Sequence, residues 1–96
     1  MSRSITLCTG QWADLSFAQL CRKAGEIGFD GLELIPLSDF FDVNKAMRES
    51  GYCKRKWEQL QKHDLTCLAL SNHLIGQSVC DRIDERHRNI LPAEVW

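Results

Sequence analysis

Hydrophobic and polar positions along the chain predict three short strands separated by two helices. Apolar runs bounded by turn residues place the strands at residues 5–8, 32–35 and 65–70. The intervening stretches have the spacing of amphipathic helices, at residues 16–28 and 52–63. This alternation is typical of β/α units, in which parallel strands are joined by right-handed crossovers.

The first helix carries the clearest local signals. Ser16 and Gln19 have the spacing of a capping box at its start, and Gly28 is placed to end it with Phe29 against Ala24. A further short helix is expected around residues 44–49. The apolar stripes expected to face the core are Phe17, Leu20, Cys21, Ala24 and Ile27 in the first helix, and Tyr52, Cys53, Trp57 and Leu60 in the helix at 52–63.

The third strand separates bulky from small side chains, because successive residues of a strand point to opposite faces. Leu68 and Leu70 are expected to pack under a helix. In the second strand Leu32 and Leu34 are expected on the helix side, and Gly31, Glu33 and Ile35 on the crowded side. The small or polar residues expected on that crowded side of the third strand are Cys67, Ala69, Ser71 and His73.

Polar side chains follow each predicted strand, at the end where parallel sheets bind ligands. These candidate site residues are Gln11 and Trp12 after the first strand, Asp39 after the second, and Asn72, His73 and Gln77 after the third. Structural alternatives stay open for several of them. His73 is equally suited to capping a backbone carbonyl, Glu33 to a structural hydrogen bond, and Trp12 and Phe40 to packing under a loop.

Composition indicates an ordinary soluble globular protein. The chain has 96 residues, 44% hydrophobic and 26% charged, with a formal net charge of -1. This predicts a single domain over residues 1–96 and argues against nucleic acid or an anionic membrane surface as a partner. A signal peptide and a membrane span are not expected, since no long uncharged apolar run occurs, so the cytoplasm is the expected location.

The cysteines indicate reduced, mostly buried thiols, because there are five of them without a Cys-x-x-Cys pair. A metal pair of Cys80 with His87 is disfavoured by the absence of two further clustered ligands. They are expected to be a packed thiol and a surface imidazole, in a charged segment at residues 81–88 that suits a solvated helix or lid. Cys67 and His73 lie about 20 Å apart along an extended strand, too far for a nucleophile and its base.

Four motifs together resemble a known family. They are Thr-Gly-Gln-Trp at residues 9–12, Gly-Phe-Asp-Gly-Leu-Glu-Leu at 28–34, Ser-Asn-His-Leu-Ile-Gly-Gln at 71–77 and Cys-Asp-Arg-Ile-Asp-Glu-Arg-His at 80–87. The chain resembles, over essentially its whole length, the N-terminal third of sugar phosphate isomerase/epimerase proteins of the xylose isomerase-like TIM-barrel superfamily. The motifs at 71–77 and 80–87 are the most specific.

The resemblance implies an α/β fold, in which parallel β/α units form the N-terminal third of a TIM (β/α)₈ barrel that is not closed in this chain. It also implies proton transfer next to the carbonyl of a sugar or sugar phosphate, assisted by Mn²⁺, Mg²⁺ or Zn²⁺. The metal ligands of the family come from later strands, so no metal is expected to bind this chain alone. By the same resemblance, His73 and Glu33 are the catalytic candidates on the substrate side, with Asn72 and Gln77 as hydrogen-bonding neighbours and Trp12 as an apolar wall. Gln11 and Asp39 are further substrate-binding candidates because of their positions after the first and second strands.

One motif departs from the family pattern. Relatives tend to have Gly-Asp-His after the second strand, where this sequence has Ser38, Asp39 and Phe40.

The incomplete barrel leaves two functional hypotheses. The chain is the N-terminal part of a metal-dependent sugar isomerase or epimerase and is inactive by itself, or it is a non-catalytic module that self-associates into a homo-oligomer through its open sheet edges.

Overall fold

The computed structural model describes residues 3–37, 39–72, 80, 82–91 and 93. Its strands and helices follow the predicted order. The strands are β1 (Thr6–Cys8), β2 (Gly31–Leu34) and β3 (Thr66–Leu70), and the helices are α1 (Phe17–Ile27), α2 (Val43–Arg48) and α3 (Tyr52–Gln61), with short 3₁₀ helices at Thr9–Trp12 and Glu85–His87. No helix within these described ranges is long and apolar enough to cross a bilayer.

The strands of the described residues form one parallel sheet in the order β1-β2-β3. Each strand therefore lies beside the next one along the chain, and a helix returns the chain between them. The fold is mixed α/β with parallel strands, as predicted. The sheet is open, so the described part of the chain is compatible with a few β/α units.

Local interactions fix both ends of α1 as the sequence predicts. The Gln19 amide donates to Ser16 Oγ at 3.2 Å, and the Ser16 amide donates to Gln19 Oε1 at 3.0 Å, which completes the capping box. At the other end Gly28 has a φ of 104°, and the Phe29 amide donates to the Ala24 carbonyl at 3.1 Å. The stripe of α1 is buried except for its last residue, Ile27, which is 59% exposed.

The core lies between α1, α3 and one face of the sheet. Leu7, Leu32 and Leu34 are buried there. On the opposite face Glu33 lies between its neighbours Cys8 and Ala69, since partners in register share a face. The predicted sidedness is confirmed for Leu32, Leu34 and Glu33. Ile35, which was expected on the side of Glu33, is instead buried in the same core cluster as the leucines.

For the first half of β3, the prediction of which side chains face the helices is wrong. Leu32 pairs with Cys67, but Glu33 pairs with Ala69, so Leu68 is an extra residue without a partner in the register. This bulge changes the alternation of the strand. Cys67 consequently packs against the core on the helix side instead of joining Ala69.

The two leucines of β3 are also not covered by a helix. Leu68 is 67% exposed and Leu70 is 55% exposed, because β3 is the outer strand of the described sheet. The apolar stripe of α3 is likewise only partly covered. Its Tyr52 and Leu60 are buried, whereas its Cys53 and Trp57 are exposed on the side toward the open edge.

The expectation of mostly buried thiols is wrong as well. Cys21 is buried, but Cys8, Cys53 and Cys80 are exposed, and all are free. Burial raises the pKa of the Cys21 thiol to about 11, so it stays protonated at neutral pH. The expected roles of Cys80 and His87 are reversed, since His87 is 4% exposed and accepts from the Asp84 amide through Nδ1 at 3.1 Å.

Candidate functional site

The carboxyl ends of β1, β2 and β3 meet at one edge of the sheet because the strands are parallel. The first residue after β1, Thr9, is completely buried there. Its hydroxyl donates to the Glu33 carbonyl at 2.9 Å and accepts from the Ile35 amide at 3.3 Å. Thr9 therefore joins the ends of β1 and β2 and fixes the backbone of Glu33.

Glu33 lies on the sheet face opposite the helices and is partly buried. Its flanking partners in the register, Cys8 and Ala69, are small and exposed. Among the described residues, none donates a hydrogen bond or forms an ion pair with the Glu33 carboxylate that would hold it in a structural role. Glu33 is thus a partly buried acidic residue whose carboxylate has no described partner.

Asp39 has a structural partner instead of facing the open side. Its carboxylate oxygens accept from the Phe17 amide at 3.1 and 3.0 Å, at the first residue of α1. A carboxylate at a helix N-terminus satisfies an unpaired amide and complements the helix dipole. Asp39 therefore ties the loop after β2 to the start of α1, on the helix side.

Lys56 of α3 completes this junction. Its amine donates to the Asp39 carbonyl and lies 3.9 Å from the centroid of the Phe17 ring and 5.7 Å from that of Tyr52. Burial lowers the pKa of the Lys56 amine, and Asp39 opposes that shift. The lysine is thus a cation held between a carbonyl and aromatic faces, and it connects α3 to α1.

The other predicted site residues are placed in different surroundings. Trp12 is partly buried, packs against the core and has the Lys23 amine 5.0 Å from its ring centroid. Gln11 and Asn72 are exposed, at the carboxyl ends of β1 and β3. His73 and Gln77 lie outside the described residues. Phe40 is fully buried with its ring 6.4 Å from that of Phe17, which is the packing alternative considered for it.

Sequence reasoning missed two polar groups at this end of the sheet, the hydroxyls of Thr9 and Ser71. The Ser71 hydroxyl is buried and has no hydrogen-bond partner among the residues that the structure describes. The Ser71 amide, by contrast, donates to the Leu34 carbonyl at 2.9 Å and fixes the position of the residue. The signals for Thr9 and Ser71 were their positions, since each is a small hydroxyl residue directly after a strand.

Metal binding has no basis in the described part of the chain. It contains no group of three histidine, cysteine, aspartate or glutamate side chains that could hold an ion. A catalytic metal needs about three protein ligands and an open position. The described residues do not form a site for a divalent metal, so the ion implied by the family resemblance would need ligands from outside them.

The two hydroxyl residues are expected to differ in their effect on stability. Thr9→Val leaves the Glu33 carbonyl and the Ile35 amide without their partner, which should lower the free energy of unfolding by about 2 kcal/mol. Ser71→Ala removes a hydroxyl that bonds to none of the described residues, so the change should be within about 0.5 kcal/mol or stabilising. Urea denaturation followed by circular dichroism measures both, and equal losses would contradict the assignment.

Comparisons with known proteins leave the family resemblance as a hypothesis based on the motifs. Neither protein-family models nor curated protein sequences gave a match to this chain. The described geometry shows the fold class, which is an α/β protein with a parallel sheet. Polar residues lie at the carboxyl ends of its strands.

Proposed function

We propose that the chain is the opening part of a metal-dependent sugar phosphate isomerase or epimerase barrel, and that its open sheet face forms a wall of the substrate pocket. The observation that supports this most is the position of Glu33. It is a partly buried carboxylate on the face opposite α1 and α3, in strands that run parallel and follow the order of the chain. In a TIM barrel that face is the interior.

The proposed chemistry assigns a proton-moving role to Glu33. Its carboxylate would take a proton from the carbon next to the sugar carbonyl and return it on the product side, which is general acid–base catalysis. Thr9 would act as a positioning residue, because its hydroxyl holds the Glu33 carbonyl. Gln11 and Asn72 would donate hydrogen bonds to substrate hydroxyls, and His73 and Gln77 keep the roles that the family resemblance implies.

The metal belongs to the proposal for a complete barrel. Mn²⁺, Mg²⁺ or Zn²⁺ would polarise the substrate oxygens there. Because the family resemblance implies that the metal ligands come from later strands, the 96-residue chain alone is expected to be inactive. Asp39 would have a supporting role, because its carboxylate oxygens accept from the Phe17 amide at the start of α1.

Solvent deuterium exchange tests this function. A complete protein containing this sequence, supplied with each of the three ions, should incorporate deuterium next to the carbonyl of an aldose, ketose or their phosphates, as followed by NMR. Glu33→Gln should lower kcat by about 10² to 10⁴-fold. The matched control is Glu26→Gln, on the exposed side of α1, which should leave kcat unchanged. Absence of exchange on every sugar, or equal rates in both variants, would refute the proposal.

A further inference from the structure

A row of three side chains crosses the sheet face opposite the helices. In the parallel register Cys8 of β1 lies beside Glu33 of β2, and Ala69 of β3 lies on the other side of Glu33. Neighbouring strands are about 4.8 Å apart, so both flanking side chains lie close to the glutamate. Cys8 and Ala69 are exposed, whereas Glu33 is partly buried. The row therefore consists of one long acidic side chain between two short ones.

The bulge in β3 places a small residue beside Glu33. Leu32 pairs with Cys67, so regular pairing would put the next residue, Leu68, opposite Glu33. The register instead shifts at this point, and Glu33 pairs with Ala69. Bulges are common next to active sites, where they change which side chain faces the site. The shift thus replaces a leucine with an alanine at the position that adjoins the carboxylate.

Hydrogen bonds between the strands hold both sides of the row in place. On the β1 side Thr9, the residue after Cys8, donates through its hydroxyl to the Glu33 carbonyl at 2.9 Å. On the β3 side the Ser71 amide donates to the Leu34 carbonyl at 2.9 Å. The strands are thus fixed in register, so the width of the space over Glu33 depends on the size of the side chains beside it.

We propose that Cys8 and Ala69 are specificity-determining residues of the isomerase site, forming the surface on which an open-chain sugar or sugar phosphate lies beside Glu33. This inference rests on the proposed function. For proton transfer, the substrate carbon must come within about 3 to 3.5 Å of a carboxylate oxygen. The carbons on either side of it then lie over the two short side chains. Added bulk at either position keeps the substrate away from the carboxylate.

A substitution at the bulge tests this role in the complete protein. The substrate is the aldose, ketose or sugar phosphate on which the unaltered protein shows deuterium exchange. Ala69→Leu restores the leucine that regular pairing would place there, and kcat/KM should fall at least about tenfold. The matched control is Cys53→Leu on α3, exposed on the helix side of the sheet, which should leave kcat/KM unchanged. Equal rates in the two variants would overturn the inference.

Labelling of Cys8 adds bulk to the folded protein, so it does not depend on the folding of a variant. Methyl methanethiosulfonate adds a methylthio group to an exposed thiol with loss of methanesulfinate, and dithiothreitol removes the group. The exchange rate should fall at least about tenfold on labelling and recover on reduction. Cys8→Ser protein treated in the same way should keep the rate that it had before treatment.

The labelling experiment separates failure of this inference from failure of the proposed function. No loss of exchange on labelling, or an equal loss in Cys8→Ser protein, would overturn the inference and leave the isomerase function in place. Absence of exchange in the unlabelled protein would refute that function, and the inference with it.

Discussion

Phe40→Ala should lower the free energy of unfolding by about 4 kcal/mol, the usual cost of removing a buried aromatic ring. The Phe40 ring is 0% exposed and lies 6.4 Å from the ring of Phe17. A domain of this size is stabilised by about 5 to 14 kcal/mol in total. The loss is therefore a large part of what holds the chain folded, and a urea titration followed by circular dichroism measures it.

The effect of Phe40→Ala should extend to the start of α1. Asp39, the preceding residue, accepts from the Phe17 amide, so loss of the Phe40 anchor should loosen that cap. Faster hydrogen exchange at the Phe17 amide is the expected sign. The control is Leu37→Ala in the same loop, where the side chain is 53% exposed and the change should be within about 0.5 kcal/mol. Equal losses would show that Phe40 is not a core residue.

The sequence predicted best what local interactions decide. The capping box of Ser16 with Gln19 and the glycine end at Gly28 involve residues a few positions apart, and both occur as expected. The parallel sheet also followed from a pattern, because alternating strands and helices leave few other topologies. The side of β2 that carries Glu33 was predictable for the same reason, since strand alternation is a local property.

Properties that depend on distant partners were not predictable. The bulge at Leu68 exists in relation to β2, and alternation within β3 gives no sign of it. Asp39 was predicted at the substrate side because it follows the second strand, but the structure shows its carboxylate bonded to the Phe17 amide, far away in sequence. No residue near Asp39 reveals that contact.

Burial of single residues was mispredicted where it depends on what lies above them. Cys53 and Trp57 have the spacing of a buried stripe, yet they are exposed because no described element covers that side of α3. His87 has mostly charged neighbours in the sequence but is buried, and its ring contacts the Asp84 amide. In each case polarity of the neighbours in sequence differs from polarity of the neighbours in space.

Gly31→Ala should cost about 3 kcal/mol, because a side chain at this position has no room. Gly31 pairs with Thr66 in the register, and a Cβ atom on Gly31 would lie 2.5 Å from the Thr66 carbonyl oxygen and 2.7 Å from its Oγ1. The strands would have to separate where β2 and β3 begin. The control is Gly10→Ala, since a Cβ there meets no atom within 4 Å, and its stability should change by less than about 1 kcal/mol.

A double mutant identifies which atom causes the loss at Gly31. If the Thr66 hydroxyl were the obstacle, Thr66→Ala would restore most of the stability of Gly31→Ala, because the contact at 2.7 Å would disappear. The closer contact is to a backbone oxygen, which no substitution at Thr66 removes. Little rescue is therefore expected in the double-mutant cycle. Full rescue would show that the backbone of β3 leaves room for a Cβ atom at Gly31, so that only the Thr66 hydroxyl obstructs it.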